Sequence, residues 1–428
     1  MNSSDKVLII GAGIAGMEAS LMLAKGGKKV VLVEKLPIIG GNVIKNEESY
    51  PNLECSTCMV APIQQDVLQN ENIEVLTLSE VEKVEGKAGE YSVRINKRAR
   101  YVSLTDCIGC GACYEPCPVT LKNEWEENLA DKKAIYVPCE GSLPNVPAID
   151  PDSCLQISGK KSCNACAEAC MFGAINYTEK DEKIEVNVGA IIVASGFELF
   201  DVKKLSNIGY GKLSNVYTAM EFERLYASNG PTSGELILRK GKKSPDSVAI
   251  IHCIGRNELG YCSGVCCMYS FKYAHFIKDK LPNTKIYNIY SDICVPNKNY
   301  QKFYNKIKDS LSTFIVQSSP EKIKISGNNG KLNINLSNNK DSKKSLNVDM
   351  VILSCAMIPS KNSEVLGNTL GLELDNKGFF QIRKDDLGTL QTSIDGIFTI
   401  GCAEGPKDIQ DSVIQAESAV GEVVSLLG

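Results

Sequence analysis

A glycine turn set between an apolar strand and a helix, with a second apolar strand behind it, constrains this chain more than any other feature. Lys6 to Ile10 reads as a short buried strand and Gly11-Ala12-Gly13-Ile14-Ala15-Gly16 as the turn. Met17 to Lys25 continues as helix, and Lys29 to Val33 as a strand ending at Glu34. In such a turn Gly11 permits the sharp bend, Gly13 lets the backbone approach a pyrophosphate, and Gly16 lets helix and strand pack closely. The unpaired amides at the helix start suit an anion, and Glu34 can accept hydrogen bonds from ribose hydroxyls. An acidic residue there favours an unphosphorylated ribose, hence FAD or NAD over NADP. The plain alternative is a βαβ turn that binds nothing.

At 428 residues the chain has room for two or three domains. Its 43% apolar and 23% charged residues are those of an ordinary globular protein. With 47 basic against 51 acidic residues there is no basic excess for nucleic acid. No apolar run reaches the roughly 20 residues that cross a bilayer. The apolar stretch Val7 to Ile14 runs into the glycine turn and meets no cleavage-type site. A cytoplasmic protein is expected. The 18 cysteines are the exceptional number. In a long chain of that kind they point to thiolate–metal chemistry, not to a disulfide framework. Two histidines, His252 and His275, leave little for a zinc or haem site.

Two later segments choose FAD. Ala190 to Gly196 (AIIVASG), within a buried strand read as Val188 to Ala194, is similar to the strand and glycine that return beneath the dinucleotide in flavoenzymes with two dinucleotide-type domains. Gly396 to Gly401 followed by Cys402 is similar to their flavin-binding closing segment, in which an Asp usually holds the place of Cys402. A helix from Ile409 to Val420 would then turn its positive end toward the flavin. The expected FAD contacts are Gly11, Gly13, Ile14, Ala15, Gly16, Glu34, Lys35, Gly41, Asn42, Ala194, Ser195, Gly196, Gly401, Cys402, Lys407, Asp408 and Ile409.

A second α/β unit begins with the strand at Ser247, after a helix around Ala219 to Ala227. It continues with a helix at Met268 to Asp279, a strand at Lys285 to Tyr290, a hairpin turning at 327–330, and a strand at Val348 to Ser354. Its first strand leads into Cys253-Ile254-Gly255-Arg256 and not into a second glycine loop, which argues against reduction by NAD(P)H at that position. The fold expected is α/β, with two dinucleotide-type domains and an inserted dicluster ferredoxin domain. Its parts are 1–100 (FAD domain), 101–178 (insertion), 179–244 (return and linker), 245–364 (second dinucleotide-type domain) and 365–428 (FAD domain, final part).

Within the insertion long periodic patterns stop and cysteines crowd. Cys107-x2-Cys110-x2-Cys113-x3-Cys117-Pro118 has the spacing of bacterial ferredoxins, where three thiolates hold one 4Fe–4S cluster and the fourth holds its neighbour. Cys154-x8-Cys163-x2-Cys166-x3-Cys170 supplies the rest, with a lengthened first gap and no proline after Cys170. The crossover rule assigns Cys107, Cys110, Cys113 and Cys170 to one cluster, and Cys117, Cys154, Cys163 and Cys166 to the other. Structural zinc is the alternative. Cys253, Cys262, Cys266 and Cys267 form a third group that spacing leaves open between a cluster and buried small thiols. Cys55-x2-Cys58 stays open between a redox dithiol, cluster ligands and core thiols. Cys139, Cys294 and Cys355 are expected to be structural.

Taken together, these segments resemble the heterodisulfide reductase A-subunit family over nearly the whole chain. The resemblance is carried by the glycine fingerprint, Gly40-Gly41-Asn42, Cys55-Ser56-x-Cys58 before Ala61-Pro62, and Arg100-Tyr101-Val102 at the opening of the insertion. It is also carried by Tyr261-Cys262-Ser263-x-Val265-Cys266-Cys267-Met268-Tyr269 and by Gly401-Cys402-Ala403-x-Gly405-Pro406-Lys407-Asp408-Ile409. It implies FAD on a thioredoxin-reductase-like core and a third 4Fe–4S cluster on Cys253, Cys262, Cys266 and Cys267. Full-length members carry further cluster domains at both ends, and the chain resembles the short forms.

The implied role is an electron-transfer subunit, an oxidoreductase that works within a homo- or hetero-oligomer. It would exchange electrons between flavin and the other subunits of a heterodisulfide-reductase-like complex, ferredoxin or similar carriers. Flavin-based bifurcation is a refinement of that role. Lys407 is the candidate for tuning the flavin, and Cys55 and Cys58 are candidate redox thiols. Two competing readings are a stand-alone NAD(P)H-dependent flavin disulfide oxidoreductase using Cys55 and Cys58, and a scaffold whose FAD is structural.

Overall fold

The computed structural model describes residues 5–310, 313–317, 319–328, 330–336, 344–383 and 389–428. Two compact units are present. One comprises Met1–Lys45, Thr57–Phe197 and Pro359–Gly428, and the other Asn46–Ser56 and Glu198–Ile358. Residues 198–244, read from sequence as return and linker, thus fall in the second unit.

In the first unit β1 (Lys6–Ile10), α1 (Ile14–Lys25) and β2 (Lys29–Val33) form the expected crossover. β1 pairs in parallel with β2 on one side and with the strand Ala190–Val193 on the other. Ile397–Thr399 and Ile73–Leu76 complete a five-stranded parallel sheet. Alternation of side chains explains why β1 is apolar throughout. Val7 and Ile9 face a core built with α1 and the last helix, Ile409–Leu427, whereas Leu8 and Ile10 face one built with a three-stranded antiparallel sheet.

The run expected to be one strand from Val188 to Ala194 is two. Glu182–Val188 belongs to the antiparallel sheet, and after Gly189 the chain enters the parallel one. Both pieces are apolar where they meet, so composition cannot mark the join. The last helix also outruns its expected end at Val420. It runs on through Gly421 to Leu427, with Val423 buried in the same core as the sheet.

Residues 101–178 hold only short strands and a four-residue helix, Ala165–Glu168. Their entry is anchored by the buried Arg100. Its guanidinium donates to the carbonyls of Val146 (2.7 Å) and Pro37 (2.6 Å) and to the Thr77 hydroxyl (2.7 Å). One charged group thereby joins the insertion to two loops of the FAD-type domain.

The second unit has a parallel sheet in the order Val216–Thr218, Met350–Cys355, Ser247–Ile254, Lys285–Tyr290 and Thr313–Gln317. Helices Ala219–Tyr226, Cys266–Lys280 and Lys298–Ser310 accompany it. The expected hairpin pairs Ile323–Asn328 with Lys331–Leu336, and Lys344–Val348 adds a third strand. Asn329 of its turn lies outside the described residues.

Within this unit Glu223 and Lys272 pair at 2.8 Å with almost no exposure. Glu223 also accepts from the amide of Glu47 (2.9 Å), and Lys272 donates to the carbonyl of Glu48 (2.8 Å). The pair thereby fixes the segment Asn46–Ser56. Lys272→Met would strand the Glu223 carboxylate without its cation, so we expect a loss of about 3–5 kcal/mol. The double variant Glu223→Gln/Lys272→Met should recover part of it. Urea unfolding followed by circular dichroism checks both, and an unchanged midpoint for Lys272→Met would contradict the assignment.

Candidate cofactor cleft and cysteine cavities

The crevice at the carboxyl ends of β1 and β2 has a volume of ≈ 290 Å³. Gly11, Gly13, Ile14, Ala15, Glu34, Lys35, Gly41, Asn42, Ala194, Ser195, Gly196, Gly401 and Cys402 line it, all of them expected from sequence. Gly11 has φ +106°, and a Cβ there would lie 2.3 Å from the carbonyl oxygen of Ala194. At Gly13 the situation is opposite: a Cβ would meet nothing within 4 Å. Gly13 also begins α1 with no side-chain cap, so the first amides of a 12-residue helix are left for an anion.

Glu34 accepts from the amides of Ala12 and Leu36, both at 2.8 Å. Burial pushes its carboxyl above the usual range, and those amides oppose the shift. The Ser195 hydroxyl is buried on the crevice wall with no hydrogen-bond partner among the described residues. Open space at Gly13, uncapped amides and an unsatisfied hydroxyl are what a bound dinucleotide would use. The residues fit FAD.

Some expected contacts are placed elsewhere. Gly16 packs against Gly11, where a Cβ would lie 1.9 Å from the Gly11 carbonyl oxygen. Lys407, Asp408 and Ile409 are not among the lining residues. Lys407 pairs with Glu404 and donates to the Gly405 carbonyl at 3.3 Å. Asp408 caps the last helix by accepting from the amide of Asp411 at 2.8 Å, and it is Ser412 of that helix that reaches the crevice. Sequence reasoning missed Ser79, Glu80, Val81, Asn362, Val365, Leu366 and Thr369. They come from a strand start and a short helix whose patterns carry no binding signature.

In the insertion, Cys107, Cys110, Cys113 and Cys170 line one cavity, and Cys117, Cys154, Cys163 and Cys166 line a second. The structure thus brings the cysteines together in the two crossed sets. Amides of Gly109 and Ala174 donate to the sulfurs of Cys107 and Cys170, each at 3.4 Å, and Tyr177 lies 3.0 Å from Cys166 Sγ. Burial pushes the Cys113 thiol up to about 12 and raises that of Cys166. Among the described residues no group of three or more His, Cys, Asp or Glu side chains is set to hold a single metal ion.

A third cavity, of ≈ 270 Å³, sits in the second unit past the carboxyl ends of three neighbouring strands. Cys253 comes from Ser247–Ile254, Ala356 follows Met350–Cys355, and Asp292, Ile293 and Cys294 follow Lys285–Tyr290. Cys262, Cys266 and Cys267 complete the thiols. A register break between Ile251 and Ile254 and a left-handed φ of 61° at Cys253 aim that side chain off the strand. Burial pushes Cys266 and Cys267 up to about 12. Arg256, paired with Asp292 at 2.7 Å, puts a cation on the cavity wall.

Cys294, expected to be structural, lines this cavity, and its amide donates to Cys267 Sγ at 3.4 Å. Cys139 and Cys355 are buried in the cores of their units. Cys55 and Cys58 are exposed and disulfide-bonded. Exposure rules out the core-thiol reading for them, and in the bonded state they hold no cluster.

A sequence profile of FAD dependent oxidoreductases matches residues 6–50. The A subunit of the H(2):CoB-CoM heterodisulfide,ferredoxin reductase of Methanothermobacter marburgensis is 37% identical over 420 residues, which are 97% of this chain and 63% of that protein. The iron-sulfur A subunit of the CoB–CoM heterodisulfide reductase of Methanocaldococcus jannaschii is 38% identical over 421 residues, 97% of this chain and 63% of its own length.

Over nearly its whole length the chain is similar to A subunits of heterodisulfide reductases. It spans 63% of the length of those two family members. The fold of the chain is like that of thioredoxin reductases. The Lactococcus lactis enzyme superposes with a TM-score of 0.53 at 12% identity over 99% of this chain and 98% of its own. The thioredoxin reductase of T. acidophilum does so with 0.52 at 11% over 98% of both. Among the described residues no helix is long and apolar enough to cross a membrane.

Gly11 and Gly13 separate packing from binding. Gly13→Val should fold, because a Cβ there meets no protein atom within 4 Å, yet carry less than about a tenth of the wild-type flavin, because the side chain fills the phosphate position. Gly11→Ala should fail to fold. Flavin absorbance per chain after purification checks this, and a Gly13→Val protein with full flavin would refute the placement.

Proposed function

We propose that this chain is a cytoplasmic electron-transfer subunit of a heterodisulfide-reductase-like complex, with one FAD and three 4Fe–4S clusters. The observation that carries the reading is the sorting of cysteines. The eight in the insertion divide into two cavities by the ferredoxin crossover, and another set stands where a second dinucleotide would bind. The other subunits of such a complex, or a ferredoxin-like carrier, are the partners.

Bound in the crevice, FAD would supply the exchange between electron pairs and single electrons. The chain's own residues bind and orient it. The amides after Gly13 face the pyrophosphate, Glu34 accepts from the ribose, and the free Ser195 hydroxyl donates into the crevice. At the cysteine cavities, backbone amides donate to sulfur, and Arg256 offsets thiolate charge in the second unit. Cys113, Cys266 and Cys267, pushed up to about 12 as free thiols, hold their protons at neutral pH. Iron binding must displace those protons, so cluster loading weakens as pH falls. Thiols spread around cavity walls suit a cluster of several atoms better than one zinc ion, whose ligands meet about 2.3 Å from a single point.

The strand that would lead into a nucleotide loop in the second unit ends instead in the bulge at Cys253. NADH and NADPH are therefore expected to leave the flavin oxidised, while dithionite bleaches it. Anaerobic purification should give about twelve irons, about twelve sulfides and one flavin per chain. Stoichiometric zinc with iron near zero, or rapid bleaching by a nicotinamide nucleotide, would sink the proposal.

A further inference from the structure

We propose that Cys294 is a fifth ligand-competent thiol of the second unit's cavity, one that takes the place of Cys262 on the iron nearest the mouth. The inference rests on reading this cavity as a cluster site. A cubane takes four thiolates, whereas Cys253, Cys262, Cys266, Cys267 and Cys294 all line the cavity.

Three of the five are fixed. Cys266 and Cys267 open the 15-residue helix Cys266–Lys280 and are buried, and Cys253 is held by the bulged end of the central strand. Cys262 and Cys294 are of another kind. Cys262 is exposed on a loop between Gly260 and Gly264, both at positive φ, and Cys294 is half-buried on the loop after Lys285–Tyr290. Cys262 and Arg256 are the titratable side chains near the Cys294 thiol. The Cys294 amide is already bonded to the sulfur of Cys267, so its own side chain starts beside an inner ligand. Three held thiols at the base and two at the mouth make a site whose outer ligand can change while the cluster stays.

The exchange is balanced without a redox partner. The Cys294 thiol gives up its proton as its sulfur bonds to iron, the iron–sulfur bond to Cys262 breaks, and the released Cys262 thiolate takes up a proton. No electron moves, and the charge on the cluster is unchanged.

Iron content and low-temperature electron paramagnetic resonance of the anaerobically purified full chain test this. Cys262→Ala should keep about twelve irons with an altered signal from this cluster, and Cys294→Ala should keep about twelve with the wild-type signal. Cys262→Ala/Cys294→Ala should fall to about eight, flavin and insertion clusters being retained. Loss of about four irons by either single variant, or retention of all of them by the double variant, would overturn the exchange. Cys253→Ala/Cys267→Ala separates the two layers of inference. If that variant keeps the wild-type iron content, the cavity holds no cluster, and it is the underlying reading that has failed.

Discussion

A side chain on Gly11 would place its first carbon 2.3 Å from the carbonyl oxygen of Ala194, so β1 and the strand Ala190–Val193 can end at one level only if that position is glycine. The crevice follows from this contact. Both strands release their chains at the same edge of the sheet, one into the uncapped start of α1 and the other into Ser195 and Gly196. Glu34 stands at the end of the next strand along. The binding groups are mostly backbone amides, and they are ready because the sheet forces them to be. Open parallel sheets place their ligands at this edge in general. Here a single interatomic distance decides whether the edge is open.

The second unit has the same edge and fills it differently. Its central strand does not run cleanly to a glycine turn. It loses register after Ile251, and Cys253 takes a left-handed conformation that non-glycine residues seldom adopt. That local irregularity of the ladder, together with a helix that starts at two adjacent cysteines, puts thiols on the wall of the cavity at this edge. What differs lies in the last residues of the central strand and in the segments that follow it.

Much of this was legible in the sequence, and the exceptions have physical causes. The glycine turn, Glu34 and the ferredoxin spacing carry their chemistry in fixed offsets of a few residues, and the structure assembles them as the offsets imply. Val188 to Ala194 was not legible as two strands, because Gly189 changes the partner sheet without changing the apolar character of the chain. Asn362 and Leu366 reach the crevice only through tertiary packing of a short helix, for which no local pattern exists. Lys407 and Asp408 are polar, close to the closing glycine and reasonable as ligands, yet one is held by Glu404 and the other by the helix it caps. Cys294 could be paired with the third group only once the strand order had set its loop beside that group.

The two cavities of the insertion are interlocked through the chain itself. Cys170, from the second run, completes the set begun by Cys107, and Cys117, from the first run, completes the set begun by Cys154. Around them the backbone has little regular structure to hold either run in place. A group filling either cavity would therefore draw on both runs and would hold the last thiol of the neighbouring set close to its partners.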